Sequence, residues 1–155
     1  MDLRAQISEA LKTAMRDKDQ ARLSTLRLVN AAIKDRDIAL RGEGGDRAET
    51  GVVDSDILQI LGKMVKQRQE SAKAYEEGGR LELAEKERSE ISVIEDFLPK
   101  QLDETETASA IDAAIAKTGA TSIRDMGKVM GELKSRYTGQ MDFGRAGPIV
   151  KDRLG

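Results

Sequence analysis

The sequence predicts an all-α protein made of a four-helix N-terminal part and a smaller three-helix C-terminal domain. Apolar residues recur at three-and-four spacing through nearly every segment, the mark of amphipathic helices. Aromatic residues are scarce, with two Tyr, two Phe and no Trp, and the abundance of Ala, Leu, Glu and Lys favours helix over sheet. Glycine and proline punctuate the chain at Gly78-Gly79, Pro99 and Gly119, cutting it into pieces of helix length.

The first helix is expected from Asp2, a plausible N-cap, to about Asp17, with Leu3, Ile7, Ala10, Leu11, Ala14 and Met15 on one stripe. A second runs from near Asp19 to about Leu40 with Leu23, Leu26, Val29 and Ile33 at helical spacing, and the short break predicts a hairpin. The stretch RGEGGDRAETG, residues 41–51, holds four glycines and mixed charge. It reads as a mobile connector, spanning 41–53, and lacks the GK[ST] of a phosphate-binding loop. The third helix starts at Asp54 or Asp56 and continues through Tyr75, its stripe containing Ile57, Leu58, Leu61, Met64, Val65, Arg68 and Ala72. The fourth spans about Leu81 to Phe97 and is stopped by Pro99.

Beyond it, Asp103 with Glu106 forms a capping box for a fifth helix that ends before Gly119. Ser122 with Asp125 opens a sixth, bearing Met126, Val129, Met130 and Leu133. The last begins between Asp142 and Pro148, since proline is comfortable only in a first turn, and ends near Leu154. The domains are therefore expected at residues 1–98 and 99–155.

Composition excludes several chemistries. The chain has no Cys and no His, so disulfides, thiolate metal sites and a Ser-His-Asp triad are all impossible. Without His the Glu-x-x-His metal pattern of helical bundles is missing too, and the acidic cluster Glu82, Glu85, Glu87 and Glu90 leaves open only an oxygen-donor site for magnesium or calcium. No nucleotide-binding motif is present. No catalytic residue, metal or cofactor is expected. The absence of an 18-residue apolar run, and of an apolar stretch in the opening MDLRAQISEALKTAM, leads to the expectation of a cytoplasmic protein with no membrane contact.

Charge is unevenly distributed. Residues 1–116 hold 18 Lys/Arg against 24 Asp/Glu, a net of −6, whereas residues 117–155 hold 8 against 4, a net of +4.

Several stretches together resemble the GatB/YqeY family. They are Ser24-Thr25-Leu26-Arg27 through Ala31-Ala32-Ile33-Lys34, Lys66-Gln67-Arg68-Gln69-Glu70-Ser71, and Gly79-Arg80 followed by Leu83-Ala84-Glu85 and Glu87. Phe97-Leu98-Pro99-Lys100-Gln101-Leu102, Asp125-Met126-Gly127-Lys128-Val129-Met130 and Ile149-Val150-Lys151 continue them in the same order. Gly147-Pro148 departs from the better helix formers expected in the last helix, which opens the register of that helix to question. The resemblance implies a four-helix part followed by a three-helix part. It implies kinship with the tail of the B subunit of tRNA-dependent amidotransferases, carbon-nitrogen ligases that use glutamine as amide donor on misacylated tRNA. There the tail resembles a tRNA-holding element and the chemistry resides elsewhere, so a stand-alone member is expected to be a non-catalytic tRNA-binding adaptor.

The RNA-contacting candidates are Arg124, Lys128, Lys134, Arg136, Arg145, Lys151 and Arg153, because phosphate contacts need only positive charge on an exposed face. Tyr137 joins them, and Phe143 beside it, as aromatic surfaces on which a splayed base can stack. The competing reading is a solvated basic face with Phe143 packed in the core. Gly127 and Gly131, four apart in one helix, each cost about 1 kcal/mol relative to Ala, and close approach of either a neighbouring helix or a phosphate would account for them. Lys128 stands four residues before Glu132, the spacing of a helical ion pair. In the third helix, Arg68 on the apolar stripe calls for a partner in Glu87 or Glu90, against a binding role. The alternative function is a protein-interaction module that never touches RNA and docks a partner in tRNA aminoacylation or translation.

Overall fold

Asp2 caps the first helix, its carboxylate accepting the N–H of Ala5 at 2.8 Å, and α1 runs Leu3–Arg16. The computed structural model describes residues 2–155; Met1, the first residue of the expected 1–98 part, lies outside them. After a tight turn, in which Lys18 adopts φ 56° and the Asp19 N–H reaches the Ala14 carbonyl at 3.0 Å, α2 runs Gln20–Glu43. A single-turn helix, α3, occupies Asp46–Thr50. Then come α4, Asp54–Glu77, and α5, Leu81–Glu95. Gly79, at φ 73°, makes the turn between them, a conformation that costs a side chain about 1 kcal/mol or more. Among the described residues there is no strand. The protein is all-α.

The chain divides into two compact units, one ending at Leu98 and the other spanning Pro99–Gly155. In the first, Ile7 of α1, Val29 and Ile33 of α2, Ile57 and Leu61 of α4 and Ile94 of α5 are buried together. Ala14, Leu23 and Leu26 form a second cluster where α1 turns into α2. Each large side chain so buried contributes about 1.5–3 kcal/mol of apolar transfer. Arg68, on the apolar stripe of α4, donates to Glu90 of α5 at 3.0 Å and to the Met64 carbonyl at 3.2 Å. Of the two partners the sequence offers, Glu90 is the one used.

The expected loop at 41–53 is more built than its composition suggests. α2 continues to Glu43 and α3 follows. Asp37 accepts Arg4 at 2.5 Å and the Val52 N–H at 3.2 Å. Asp56, buried, accepts Arg47 at 2.5 Å and the Val53 N–H at 3.0 Å. Val52 packs on the core. The backbone donors of Val52 and Val53, at the end of this segment, are thus satisfied by carboxylates from the helices on either side, partners that no local pattern announces. The Arg4 guanidinium holds the Asp37 carboxyl below its ordinary value, against the opposing effect of burial. For Asp56 burial pushes upward most strongly, yet the hydrogen bonds from Val53 and Arg47 together leave it lowered.

In the second unit α6 spans Glu104–Thr118, opened by the reciprocal capping box of Asp103 and Glu106. A 3-10 turn at Ile123–Asp125 leads into α7, Met126–Tyr137, and α8 runs Phe143–Leu154. Ile111, Val129, Leu133 and Val150 form the fully buried centre. The Leu102 N–H donates to the Gln140 carbonyl at 2.9 Å, and the Gln140 side chain donates to the Lys100 carbonyl at 3.2 Å. The Lys100-Gln101-Leu102 motif therefore closes the unit on the α7–α8 connection.

α8 begins within the expected range from Asp142 to Pro148, at its early end, so that Pro148 lies inside the helix and not in its first turn: Asp142 caps it by accepting the Gly144 N–H at 2.9 Å. The one intrahelical bond that proline deletes would have gone to the carbonyl of Gly144, the second residue of the helix, where the ladder has barely begun.

Candidate nucleic-acid interface

The apolar stripe of α7 dictates what its other side presents. Val129 and Leu133 are buried, with Met126, Met130 and Tyr137 packed beside them. At 100° per residue, the opposite face then consists of Gly127, Lys128, Gly131, Lys134, Ser135 and Thr138. Of these, Gly127, Lys128, Gly131, Lys134 and Ser135 are exposed. A Cβ added at Gly127 or at Gly131 would meet no atom within 4 Å. Among the described residues of this unit no neighbouring helix packs on them, so the helix-packing account finds no support within it. What they leave is a strip of uncovered helix backbone with Lys134 on one side and Lys128 on the other.

Other members of the basic set fall into three situations. Arg124, on the 3-10 turn, and Lys134 are exposed and make no ion pair among the described residues. Lys128 is 4.0 Å from Asp125, a loose contact. Asp125 itself accepts the Thr121 N–H at 3.0 Å, and that bond, with a second from Ser122 and the nearby Lys128 charge, lowers its carboxyl below the ordinary value despite some desolvation. Arg145 and Lys151 lie on the outer face of α8 with Asp152, all exposed, and Arg145 stands 3.7 Å from Asp142.

Arg136 and Arg153 are both engaged in ion pairs. Arg136 lies 3.4 Å from Glu132, which also receives Lys117 at 2.9 Å, and Arg153 pairs with Asp112. The expected Lys128–Glu132 pair does not form, because Glu132 faces α6 and is taken by these two cations. Tyr137 and Phe143 are half-buried and pack against the core of the unit. Of the eight named candidates, α7 thus gathers Lys128 and Lys134 on one face.

The unit as a whole is not basic. Pro99–Gly155 holds nine Lys/Arg and eight Asp/Glu, with Asp103, Glu104, Glu106 and Asp112 all contributed by α6 and its cap. Positive charge is segregated onto α7 and α8, away from the first turn of α6. The sequence names Gly127 and Gly131 without making them site residues. The signal that finds them is angular: both lie opposite Val129 and Leu133, among polar neighbours. Among the described residues no group of three carboxylates is placed to hold a metal ion, and no helix is long and apolar enough to cross a membrane.

Comparison with known proteins supplies the remaining finding. Residues 4–154 match the family described as Yqey-like protein. A Saccharomyces cerevisiae protein named altered inheritance of mitochondria protein 41, mitochondrial, is 26% identical over 129 residues, covering 79% of this chain and 65% of its own length. A Lachancea thermotolerans protein of the same name is 32% identical over 98 residues, covering 63% of this chain and 49% of its own length. A Schizosaccharomyces pombe protein is 28% identical over 99 residues, 64% of this chain and 74% of its own. The chain therefore spans under two thirds of the two relatives named as mitochondrial. Those names overturn the cytoplasmic expectation, which rested on missing apolar runs, a feature that does not distinguish one aqueous compartment from another.

Proposed function

The chain belongs to the Yqey-like family over residues 4–154, and on that premise we propose that it is a non-catalytic tRNA-binding adaptor, related to the tail of the amidotransferase B subunit, that holds RNA on the outer face of α7. The observation that carries the reading is the uncovered strip at Gly127 and Gly131 between Lys128 and Lys134. Two helix glycines with nothing packed on them sacrifice about 1 kcal/mol each. A phosphate backbone lying along the helix gives that loss a purpose, because it needs close approach and flanking cations but no base-reading side chain. Arg124, Arg145 and Lys151 extend the positive field, while Arg153 ties α8 to α6 through Asp112 and Arg136 pairs with Glu132 within α7. The association with glutamine-dependent amidation is one of partnership: the adaptor holds the RNA and contributes no reacting group.

The test is a titration of fluorescent tRNA with the full chain at two salt concentrations, with poly-uridine as control, repeated for Lys128→Glu/Lys134→Glu. Binding should fall with salt and weaken about tenfold or more in the double variant, with a shallower salt slope. Unchanged affinity in a double variant that melts like the parent would remove the site from α7.

A second reading, docking of a protein partner by the N-terminal unit, is favoured by one specific observation: among the described residues of that unit, none covers the apolar side chains of Leu28 and Ile38 on α2.

A further inference from the structure

The two faces of α2 have different surroundings. Leu26, Val29, Ile33 and Leu40 are buried in the N-terminal core. On the opposite side Leu28 and Ile38 are 47% and 64% exposed, and Ala31 and Ala39 are exposed beside them. Ser24, Leu28, Ala31, Asp35, Ile38 and Gly42 follow one another at alternating steps of four and three, the heptad seam along which one helix packs on another. Arg27, Lys34 and Arg41 recur at intervals of seven along one flank, all exposed, at the position from which charges choose a partner helix. Arg41 also acts on Asp37, whereas Arg27 and Lys34 have no ion pair among the described residues.

These features select the occupant. Leu28 and Ile38 on the seam offer an RNA backbone nothing. Asp35 at the middle of the seam opposes burial in a bilayer, where an unpaired carboxylate is costly. A second copy laid antiparallel would set the basic row against itself, and laid parallel would set it against Ala32 and Ala39, so self-pairing gains nothing from charge. A helix with apolar seam residues and a row of carboxylates satisfies both the stripe and its flank.

We propose that the outer face of α2 docks an acidic amphipathic helix of a partner protein, its carboxylates beside Arg27 and Lys34 and a basic side chain opposite Asp35. The inference rests on the adaptor reading only in supposing a protein partner. Its test reads α2, whereas the tRNA titration reads α7, so the two fail separately.

The probe is a labelled helical peptide with Leu at the seam positions, Lys opposite Asp35 and Glu along the facing flank, titrated into the full chain by fluorescence anisotropy. Its counterpart carries Lys along that flank. The Glu peptide should bind about tenfold more tightly than the Lys peptide, and Arg27→Glu/Lys34→Glu should invert that preference. Ile38→Ser should weaken both peptides by about threefold or more, with tRNA affinity unchanged in every α2 variant. All these positions are exposed, and thermal melting checks that each variant folds. Equal binding of the two peptides, or binding indifferent to the α2 changes, overturns the proposal. So does loss of tRNA affinity in Arg27→Glu/Lys34→Glu, which hands the face to RNA. A dimer in sedimentation that Ile38→Glu dissolves hands it to a second copy, and vesicle binding lost in that variant hands it to anionic lipid.

Discussion

The outer faces of α2 and α7 are both left without a partner inside their own unit, yet they are unlike in chemistry. α2 shows Leu28 and Ile38 beside a basic flank; α7 shows bare backbone at Gly127 and Gly131 between two lysines. On α2 the uncovered groups are side chains, which lose contact with water when another helix covers them. On α7 the uncovered group is the helix backbone, and the charges beside it suit a polyanion of any sequence. Exposure alone does not say what a helix face is for. What flanks the exposed atoms does.

The comparison breaks most visibly if either face proves to be part of the core. Leu133→Ala, on the buried side of α7, should cost about 2–5 kcal/mol, whereas Leu28→Ala, on the exposed side of α2, should stay within about 0.5 kcal/mol; urea unfolding of the two variants reads both. A large loss at Leu28 would mean that α2 is covered in solution.

The next effect concerns the segment between α2 and α4. Asp56→Asn leaves the Arg47 guanidinium and the Val53 N–H with a weaker acceptor and should destabilise the protein by about 1–3 kcal/mol. The same group sets a pH dependence. Asp37 and Asp56 both have lowered carboxyl values when folded, so their contribution is fully present above the ordinary value of 3.8 and is lost as pH falls through the folded values. Thermal melts from neutral pH down to about 3 should therefore show the parent's advantage over Asp37→Asn/Asp56→Asn constant above about pH 5 and shrinking below about pH 4. An advantage that persists undiminished at pH 3 would contradict the ion-paired arrangement.

The smallest effects sharpen the contrast between glycines. Gly127→Ala and Gly131→Ala should each stabilise the protein by up to about 1 kcal/mol, since the added methyl meets nothing. Gly51→Ala should destabilise by a similar amount, about 1 kcal/mol, because Gly51 sits at φ 72°. Differential melting of the three variants orders them.

The helices were readable because their signals are local. Stripes such as Val129–Leu133 and Ile57–Leu61, the caps at Asp2 and Asp103, and the stop at Gly78-Gly79 all depend on neighbours within a few residues. Even Arg68 declared its need for a carboxylate from the next helix, since a charged residue on an apolar stripe requires one. The segment after α2 was not readable, because its order comes from Asp37 and Asp56, which composition counts simply as charges. The start of α8 fell at the early end of the expected range, Asp142 to Pro148, because the Asp142 cap decides it and the proline does not. As for the site, the basic residues were visible but their pairing was not: Arg136 and Arg153 looked the same as Lys134 until the fold set Glu132 of α7 and Asp112 of α6 beside them.

The claim that α7 offers its bare backbone to RNA is tested most directly by filling it. In Gly131→Gln the side chain would stand in open space, leaving the fold intact and all charges in place. The account requires tRNA affinity to fall by about tenfold, roughly 1.4 kcal/mol, while the melting temperature holds or rises. Parent-like affinity in a folded Gly131→Gln variant would contradict it, and would leave the two glycines without a ligand to explain them.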